Sequence, residues 1–313
     1  MLNYLAVRIG SALPVAALVA LIVFLLIRLT PGDPAAILAG ENASPEQLEA
    51  IRQSLGLHLP LSRQLLDWVG SLLSGDFGTS IISQIPVATM VGQRLEPSLS
   101  LTVITFALTM VVAIPLGVLA AWKHGTFIDR AVMALSIIGF SVPVFVLGYI
   151  MIKVFALELG IFPVQGYRPI AEGVGPFLYR MILPALTLTL AFTALISRMT
   201  RTSMLSVLGE DYIRTARAKG ATERRVLFRH ALKNAFVPII TILGNSFALL
   251  IGGVVVTETV FNLPGIGRLT VEAILARDYP VIQAIVLLMS FVYLGINLLV
   301  DIAYAVIDPR IRY

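Results

Sequence analysis

Six long stretches of this chain carry no Asp, Glu, Lys or Arg: 9–27, 97–122, 131–152, 181–197, 234–257 and 279–300. A helix of about 17–25 mainly apolar residues crosses the hydrocarbon layer of a membrane. All six stretches reach that length. In lipid the backbone has no water to bond, so such stretches must close their hydrogen bonds within themselves, as helices. The expected fold class is therefore an all-α integral membrane protein with six transmembrane helices. The rest of the composition agrees, with 58% hydrophobic and 13% charged residues, against about 25% charged in ordinary soluble domains. That deficit excludes a disordered chain, a nucleic-acid-binding domain and an ordinary cytosolic enzyme. Stretch 77–93 is also uncharged, but Ser80, Ser83, Gln84, Pro86 and Gln93 interrupt it. Stretch 181–197 is the shortest, and Thr187, Thr189 and Thr193 suit it to face protein rather than lipid. The first stretch is longer than a signal-peptide core and is followed by Arg28-Leu29-Thr30-Pro31 rather than a small-residue cleavage site, so it reads as a retained helix.

Loop charges set the orientation. With the N-terminus in the cytoplasm, the inner segments carry 14 Lys and Arg and the outer segments seven, besides Arg28 and Lys153 at the outer ends of the first and third stretches. Positive charge favours the cytoplasmic side, so both termini are expected there. The net charge of +5 then records membrane orientation and calls for no polyanionic partner. The chain has no cysteine, which removes disulfides, thiolate metal ligands and a thiol nucleophile.

The first outer loop, 31–97, is too long for a bare connector. Ser44-Pro45-Glu46-Gln47 has the pattern of a capping box with proline at the first helical position, predicting a helix that ends near Gly56. A second helix is expected at 61–73, where Leu61, Leu65, Leu66, Val69, Leu72 and Leu73 share a broad face, and a third at 86–95 beginning at Pro86. The loop holds seven acidic residues against three Arg, and should form a small helical cap on the outer face that packs on the bundle or helps dock a partner.

The inner loop, 198–233, is basic and amphipathic. Glu210 and Asp211 stand where a helix would begin. Tyr212, Ile213, Arg214, Thr215, Ala216, Arg217, Ala218 and Lys219 follow, with the basic residues late, as the helix dipole favours. Ile213, Ala216 and Lys219 fall on one face. Gly220 is a natural stop, since glycine enters the left-handed region without steric cost. A second helix should start near Thr222 and run into the fifth span. On composition alone this loop could tether to anionic lipid or dock a protein. Without interleaved aromatics it is not a nucleic-acid patch.

At this loop the chain resembles the inner-membrane permease subunits of binding-protein-dependent ABC importers, and more narrowly the dipeptide, oligopeptide and nickel permease family. The mark of the wider group is Glu-Ala-Ala, three residues, Gly, nine residues, then Ile-x-Leu-Pro. Here Gly220 takes the glycine position and Leu232 the leucine. Arg214-Thr215-Ala216 stands where Glu-Ala-Ala would be, and His230 and Lys233 replace Ile and Pro, with Pro238 further on. Five other segments are similar to the peptide branch: Thr30-Pro-Gly-Asp-Pro34, Gly75-Asp-Phe-Gly-Thr-Ser80, Val260-Phe-Asn-Leu-Pro-Gly-Ile-Gly267, Arg277-Asp-Tyr-Pro280 and Asp308-Pro-Arg-Ile-Arg-Tyr313. The resemblance spans essentially the whole chain. It implies a multi-pass permease subunit of the bacterial inner membrane that translocates short peptides, di- or oligopeptide or glutathione-like. It implies a second, homologous permease subunit, two ABC ATPase subunits, an extracytoplasmic substrate-binding protein and surrounding membrane lipid as partners. It makes Glu210–Gly220 the coupling helix that docks on the ATPase; the motif's acidic contact is either taken over by Glu210 or Asp211 or absent here. ATP and magnesium would be held by the ATPase subunits, and this chain would hold no cofactor and no metal.

The chain has no Gly-x-x-x-x-Gly-Lys-Ser/Thr loop, so work from ATP must reach it through a contact. His58, His124 and His230 are scattered, no His-Glu-x-x-His exists, and no catalytic residue is expected. Asn245, Ser246, Asn297 and Asp301 are candidate pathway or gate residues, because polar groups inside a membrane are costly. The alternative function is an ion-coupled secondary transporter using Asp301 or Lys153, although Lys153 can also reach the outer interface as a structural residue. An intramembrane enzyme is the third reading. Pro115, Pro143, Pro184 and Pro238 are expected to kink spans, and Gly252-Gly253 to allow close helix packing. The expected organisation is a first transmembrane helix at 1–30, an extracytoplasmic helical loop at 31–97, a five-helix permease core at 98–307 that includes the loop 198–233, and a cytoplasmic tail at 308–313.

Overall fold

The computed structural model describes residues 2–29, 35, 44–54 and 56–307. The Thr30–Pro34 and Asp308–Tyr313 motifs lie outside them. Among the described residues there are helices and no strand, with one isolated bridge between Thr79 and Pro86. The helices are α1 (Leu2–Leu29), α2 (Pro45–Ser54), α3 (Leu61–Leu73), α4 (Val87–Trp122), α5 (Phe127–Ser141), α6 (Val144–Glu158), α7 (Val174–Leu208), α8 (Asp211–Ala218), α9 (Glu223–Val260), α10 (Ile266–Ala276) and α11 (Tyr279–Ile307). α9 includes a π-helical turn at Val226–Ala231.

Each of the six uncharged stretches is helical, the third except at Val142 and Pro143. α4, α7, α9 and, over Tyr279–Ala303, α11 are each long and apolar enough to cross a membrane. α5 and α6 make a fifth if counted as one broken span, and α1 carries a shorter apolar stretch, Gly10–Leu25. The third stretch, expected as one helix, is bent by 103° between α5 and α6. The cause is Pro143. A residue before proline is pushed out of the helical region, and Val142 is extended at φ −88°, ψ 124°. The Thr-rich stretch 181–197 belongs to α7, the most enclosed span. In α7 56% of the apolar stretch is buried, against 33% in α4 and α9 and 11% in α11. Thr187 and Thr189 are buried, as their sequence context requires.

The capping box at α2 is closed both ways. Gln47 N–H donates to Ser44 Oγ at 3.2 Å, and Ser44 N–H donates to Gln47 Oε1 at 3.0 Å. The expected separate helix at 86–95 is absent. Pro86 precedes Val87, and α4 then runs unbroken through Arg94, Glu96 and Pro97 to Trp122. Charge marks where a segment stops suiting lipid; it does not stop backbone hydrogen bonding.

The chain divides into two compact units. One comprises Ala6–Gln93 and Thr270–Leu294. In it the Phe24 and Trp68 rings lie 5.6 Å apart, and Gln283 donates to the Val23 carbonyl at 3.1 Å. Asp278, buried, accepts from the Ser80 hydroxyl at 2.5 Å and from Ile81 N–H at 3.1 Å. Two segments that resemble the peptide branch, Gly75–Ser80 and Arg277–Pro280, are thus tied by one carboxylate.

The other unit comprises Met1–Leu5, Arg94–Leu269 and Gly295–Tyr313. It has two apolar clusters. One gathers Leu101, Met181, Leu188, Leu250, Phe261 and Leu263, the other Ala113, Ile196, Met204, Ile213, Val226 and Ile239. Small residues bring the spans together. A Cβ on Gly117 would lie 2.5 Å from Thr200 Cβ and 2.6 Å from the Ser197 carbonyl oxygen. Gly253 packs on Leu188, whereas Gly252 has open space beside it, so one of the expected glycine pair serves close packing. Pro115, Pro184 and Pro238 lie inside α4, α7 and α9. At the start of α5, Asp129 accepts from Arg201 Nε and Nη2 at 2.5 and 2.8 Å and from Gly125 N–H at 3.0 Å.

Candidate functional site

α8 is built as an exposed platform held by one apolar peg. Ile213 is fully buried in the cluster with Met204, Val226 and Ile239, and Ala216, one turn on, is half-buried. Glu210, Asp211, Tyr212, Arg214, Thr215, Arg217, Ala218, Lys219 and Gly220 are all exposed. Period 3.6 dictates this division, since only positions three or four apart share the inward face. Glu210 is the extended residue before the helix, and Asp211 and Arg217 occupy its first and last turns.

The end of α8 is a Schellman motif. Ala221 N–H bonds the Ala216 carbonyl at 3.1 Å and Gly220 N–H bonds the Arg217 carbonyl at 2.9 Å. It needs a left-handed residue at 220, and Gly220 has φ +80°. Further contacts brace the elbow. Arg217 Nε pairs with Glu223 at 2.8 Å, and Asn234 Nδ2 donates to the Tyr212 hydroxyl at 2.7 Å. α9 starts three residues after Gly220 and continues for 38 residues. The short helix, glycine elbow and second helix are therefore arranged as the spacing predicts, with no slack between platform and span.

The four candidate pathway residues do not share one environment. Asn245 is exposed, while Ser246 is buried and its hydroxyl meets no partner within the described chain. Adjacent residues on a helix point about 100° apart, so the two side chains leave α9 in different directions. Asn297 and Asp301 are half-buried on α11. The two helices touch where Gly244 faces Val300, next to Asn245 and Asp301 in sequence. Lys153 is an exposed residue at 3.9 Å from Glu158, a surface pair rather than a buried coupling group.

A second polar centre was not singled out from the sequence. Glu258, on the last turn of α9, is fully buried. Its carboxylate accepts from the Ser98 hydroxyl of α4, from Arg268 N–H at 2.9 Å and from Gly267 N–H. Ser98 Oγ in turn accepts Ile266 N–H at 2.7 Å. The signal for it is a carboxylate ending an apolar stretch and followed, after four residues, by Leu263-Pro264-Gly265-Ile266-Gly267. In the sequence reading Glu258 only marks where the fifth stretch stops.

The described chain is thus helical, with an exposed short helix followed within three residues of Gly220 by a long apolar one. The chain belongs to the family of binding-protein-dependent transport system inner membrane components, which matches residues 113–313, and the N-terminal model of the same system matches residues 1–113. It is 54% identical over 310 residues, 99% of each chain, to the "Probable peptide ABC transporter permease protein y4tP" of Sinorhizobium fredii. It is 42% identical over 313 residues, the whole of both chains, to the glutathione transport system permease protein GsiC of Escherichia coli K12. Among solved structures, the MetNI methionine ABC transporter in inward-facing conformations has a chain matching at TM-score 0.58 and 18% identity, covering 70% of this chain and 96% of that one. That likeness is one of fold. The chain is thus an ABC-importer permease located in the inner membrane.

Proposed function

We propose that this subunit forms half of the membrane pathway of an importer of short peptides, including glutathione-like ones, and that α8 is the helix through which ATPase subunits drive it. The cargo class is supported by the names of its relatives. In this reading six spans cross the membrane with both termini in the cytoplasm, and a second permease subunit completes the pathway. Two ATPase subunits bind ATP and magnesium below, and a binding protein delivers cargo from outside. The observation that carries the coupling role is the shape of α8. One buried side chain anchors it, six of its eight residues are exposed, and a Schellman elbow joins it to α9.

Alternating between inward-open and outward-open states needs about 5.5 kcal/mol of differential interaction to move a population from 1:99 to 99:1. ATPase closure on a stiff platform can supply it; a compliant loop would dissipate it.

The test is Gly220→Val in the full importer reconstituted in vesicles. A Cβ at 220 meets nothing within 4 Å, so the first atom of the new side chain causes no clash. Its cost is conformational, about 1–2 kcal/mol for a side chain in the left-handed region, which is about a 5–30-fold change in a two-state population. Uptake of glutathione or dialanine per ATP hydrolysed should fall by that order, while insertion and ATP hydrolysis persist. Unchanged uptake per ATP would remove α8 from the coupling path. Uphill uptake by the isolated chain under an ion gradient would replace the whole reading with an ion-coupled transporter.

A further inference from the structure

α9 has a defined structure at both ends. At one end is the elbow at Gly220. At the other, 35 residues on from Glu223 and roughly 50 Å away at 1.5 Å per residue, is Glu258. Helix ends usually fray into compliant loops, and here a loop of Phe261–Gly265 separates α9 from α10. Glu258 removes that compliance. Three donors converge on its carboxylate: the Ser98 hydroxyl from α4 and the N–H groups of Gly267 and Arg268 from the first turn of α10. Ser98 passes the contact on by accepting Ile266 N–H. Arg268 folds back to donate to Asn262 Oδ1, which fixes the left-handed residue of the loop. Arg94 is the nearby positive charge.

The fit leaves no slack. A Cβ on Gly265 would overlap the Glu258 carboxylate, and one on Gly267 would lie 2.5 Å from Val255 Cα. A carboxylate stripped of these donors would be buried without water or partner, which is strongly unfavourable. The arrangement is therefore stable only when closed.

We propose that Glu258 is a positioning residue for transport. It holds the end of α9, the Ser98 turn of α4 and the first turn of α10 as one block through the whole cycle, so that displacement entering at α8 reaches the outer mouth without loss in the 261–265 loop. This rests on the reading of α8 as the driven element. The partner that senses the block is the docked binding protein, and the coupling runs both ways. Binding-protein docking outside should reach the ATPase by the same route.

Two measurements on the reconstituted importer test it. The first is stimulation of ATP hydrolysis by the cognate binding protein in Glu258→Ala, Glu258→Gln and Gly265→Ala. The last keeps the charge but displaces it. Per folded transporter, basal hydrolysis should persist in all three, and the stimulation should drop several-fold, least in Glu258→Gln, which retains one acceptor oxygen. A merely structural role would lower the amount of folded transporter and leave the stimulation ratio alone, and that result would overturn the proposal. The second is the distance between spin labels at Leu99→Cys and Thr259→Cys, both exposed positions flanking the centre in a chain with no other cysteine. It should be the same in nucleotide-free and vanadate-trapped importers. A change of about 5 Å, one helical turn, would show that the block opens and would overturn the proposal even if every variant misfolds. Gly220→Val run alongside separates the two readings. If it fails to uncouple, the α8 reading falls and takes this one with it. If it uncouples while the Glu258 variants keep full stimulation, only the latch falls.

Discussion

Gly117→Leu is expected to abolish most of the folded, extractable population of this chain. Gly117 lies on α4 where that helix crosses α7, and a Cβ there would stand 2.5 Å from Thr200 Cβ and 2.6 Å from the Ser197 carbonyl oxygen. Neither neighbour is the far end of a flexible side chain. Thr200 and Ser197 are fully buried, so the helices themselves would have to separate. Overpacking a core costs about 1–3 kcal/mol and occasionally more. A whole isobutyl group driven into backbone belongs at the upper end of that range or beyond. Without a hydrophobic drive between helices in lipid, close packing is the main force holding such a crossing. The loss should therefore be nearly complete. The internal control is Gly92→Ala on the same helix, where an added Cβ meets nothing within 4 Å. It should be neutral, or stabilising by about 0.4–1 kcal/mol through the unfolded chain. Thermal melts of purified protein in detergent, followed by size-exclusion fluorescence, compare the two. Equal melting of Gly117→Leu and wild type would show that α4 and α7 do not meet in this way.

The helices were legible in the sequence because membrane helices are written in the absence of charge, and each of the six uncharged stretches is helical, the third except at Val142 and Pro143. Local chemistry was legible too. Ser44 and Gln47 specify their own capping box, and Gly220 its own elbow, because both motifs are complete within six residues. What could not be read was which polar groups meet across the fold. Ser98 and Glu258 are 160 residues apart, and Ser80 and Asp278 are 198 apart. Nothing local in either pair announces its partner. Reading by charge boundaries also misled in a specific way. Glu96 marked the start of a span, whereas α4 passes through it, and Glu258 marked the end of one, whereas it is buried inside the helix. A charge with enough donors does not need water, and one sequence cannot show where those donors come from. The bend at Pro143 was legible as a kink but not as a turn of 103°, because packing sets how far the chain departs after the helix is broken.

Arg201 shows the same limit from the other side. In the sequence it is one of 14 positive charges from whose excess the orientation is predicted, yet here it is bound to Asp129 in a forked pair, with Nε and Nη2 at 2.5 and 2.8 Å. The Asp129 side chain is 5% exposed and Arg201 20%, so water cannot replace either partner cheaply. Arg201→Ala is expected to destabilise the unit by about 1.5–3 kcal/mol, the range for a hydrogen bond to a charged group left unmet. Gly125 N–H and His124 Nδ1 still reach the carboxylate, at 3.0 and 3.1 Å, and keep the loss from being larger. Arg201→Lys should recover only part of it, because an ammonium cannot reproduce the planar fork. Joining Asp129→Asn to Arg201→Ala should cost less than the sum of the single changes, since the second removes a group the first has already orphaned. Melting of the four proteins at low and high salt gives the cycle. A coupling that survives high salt is expected of a shielded pair. Strictly additive losses would mean that Asp129 and Arg201 act independently, and would leave the junction of α5 and α7 to be held by apolar packing alone.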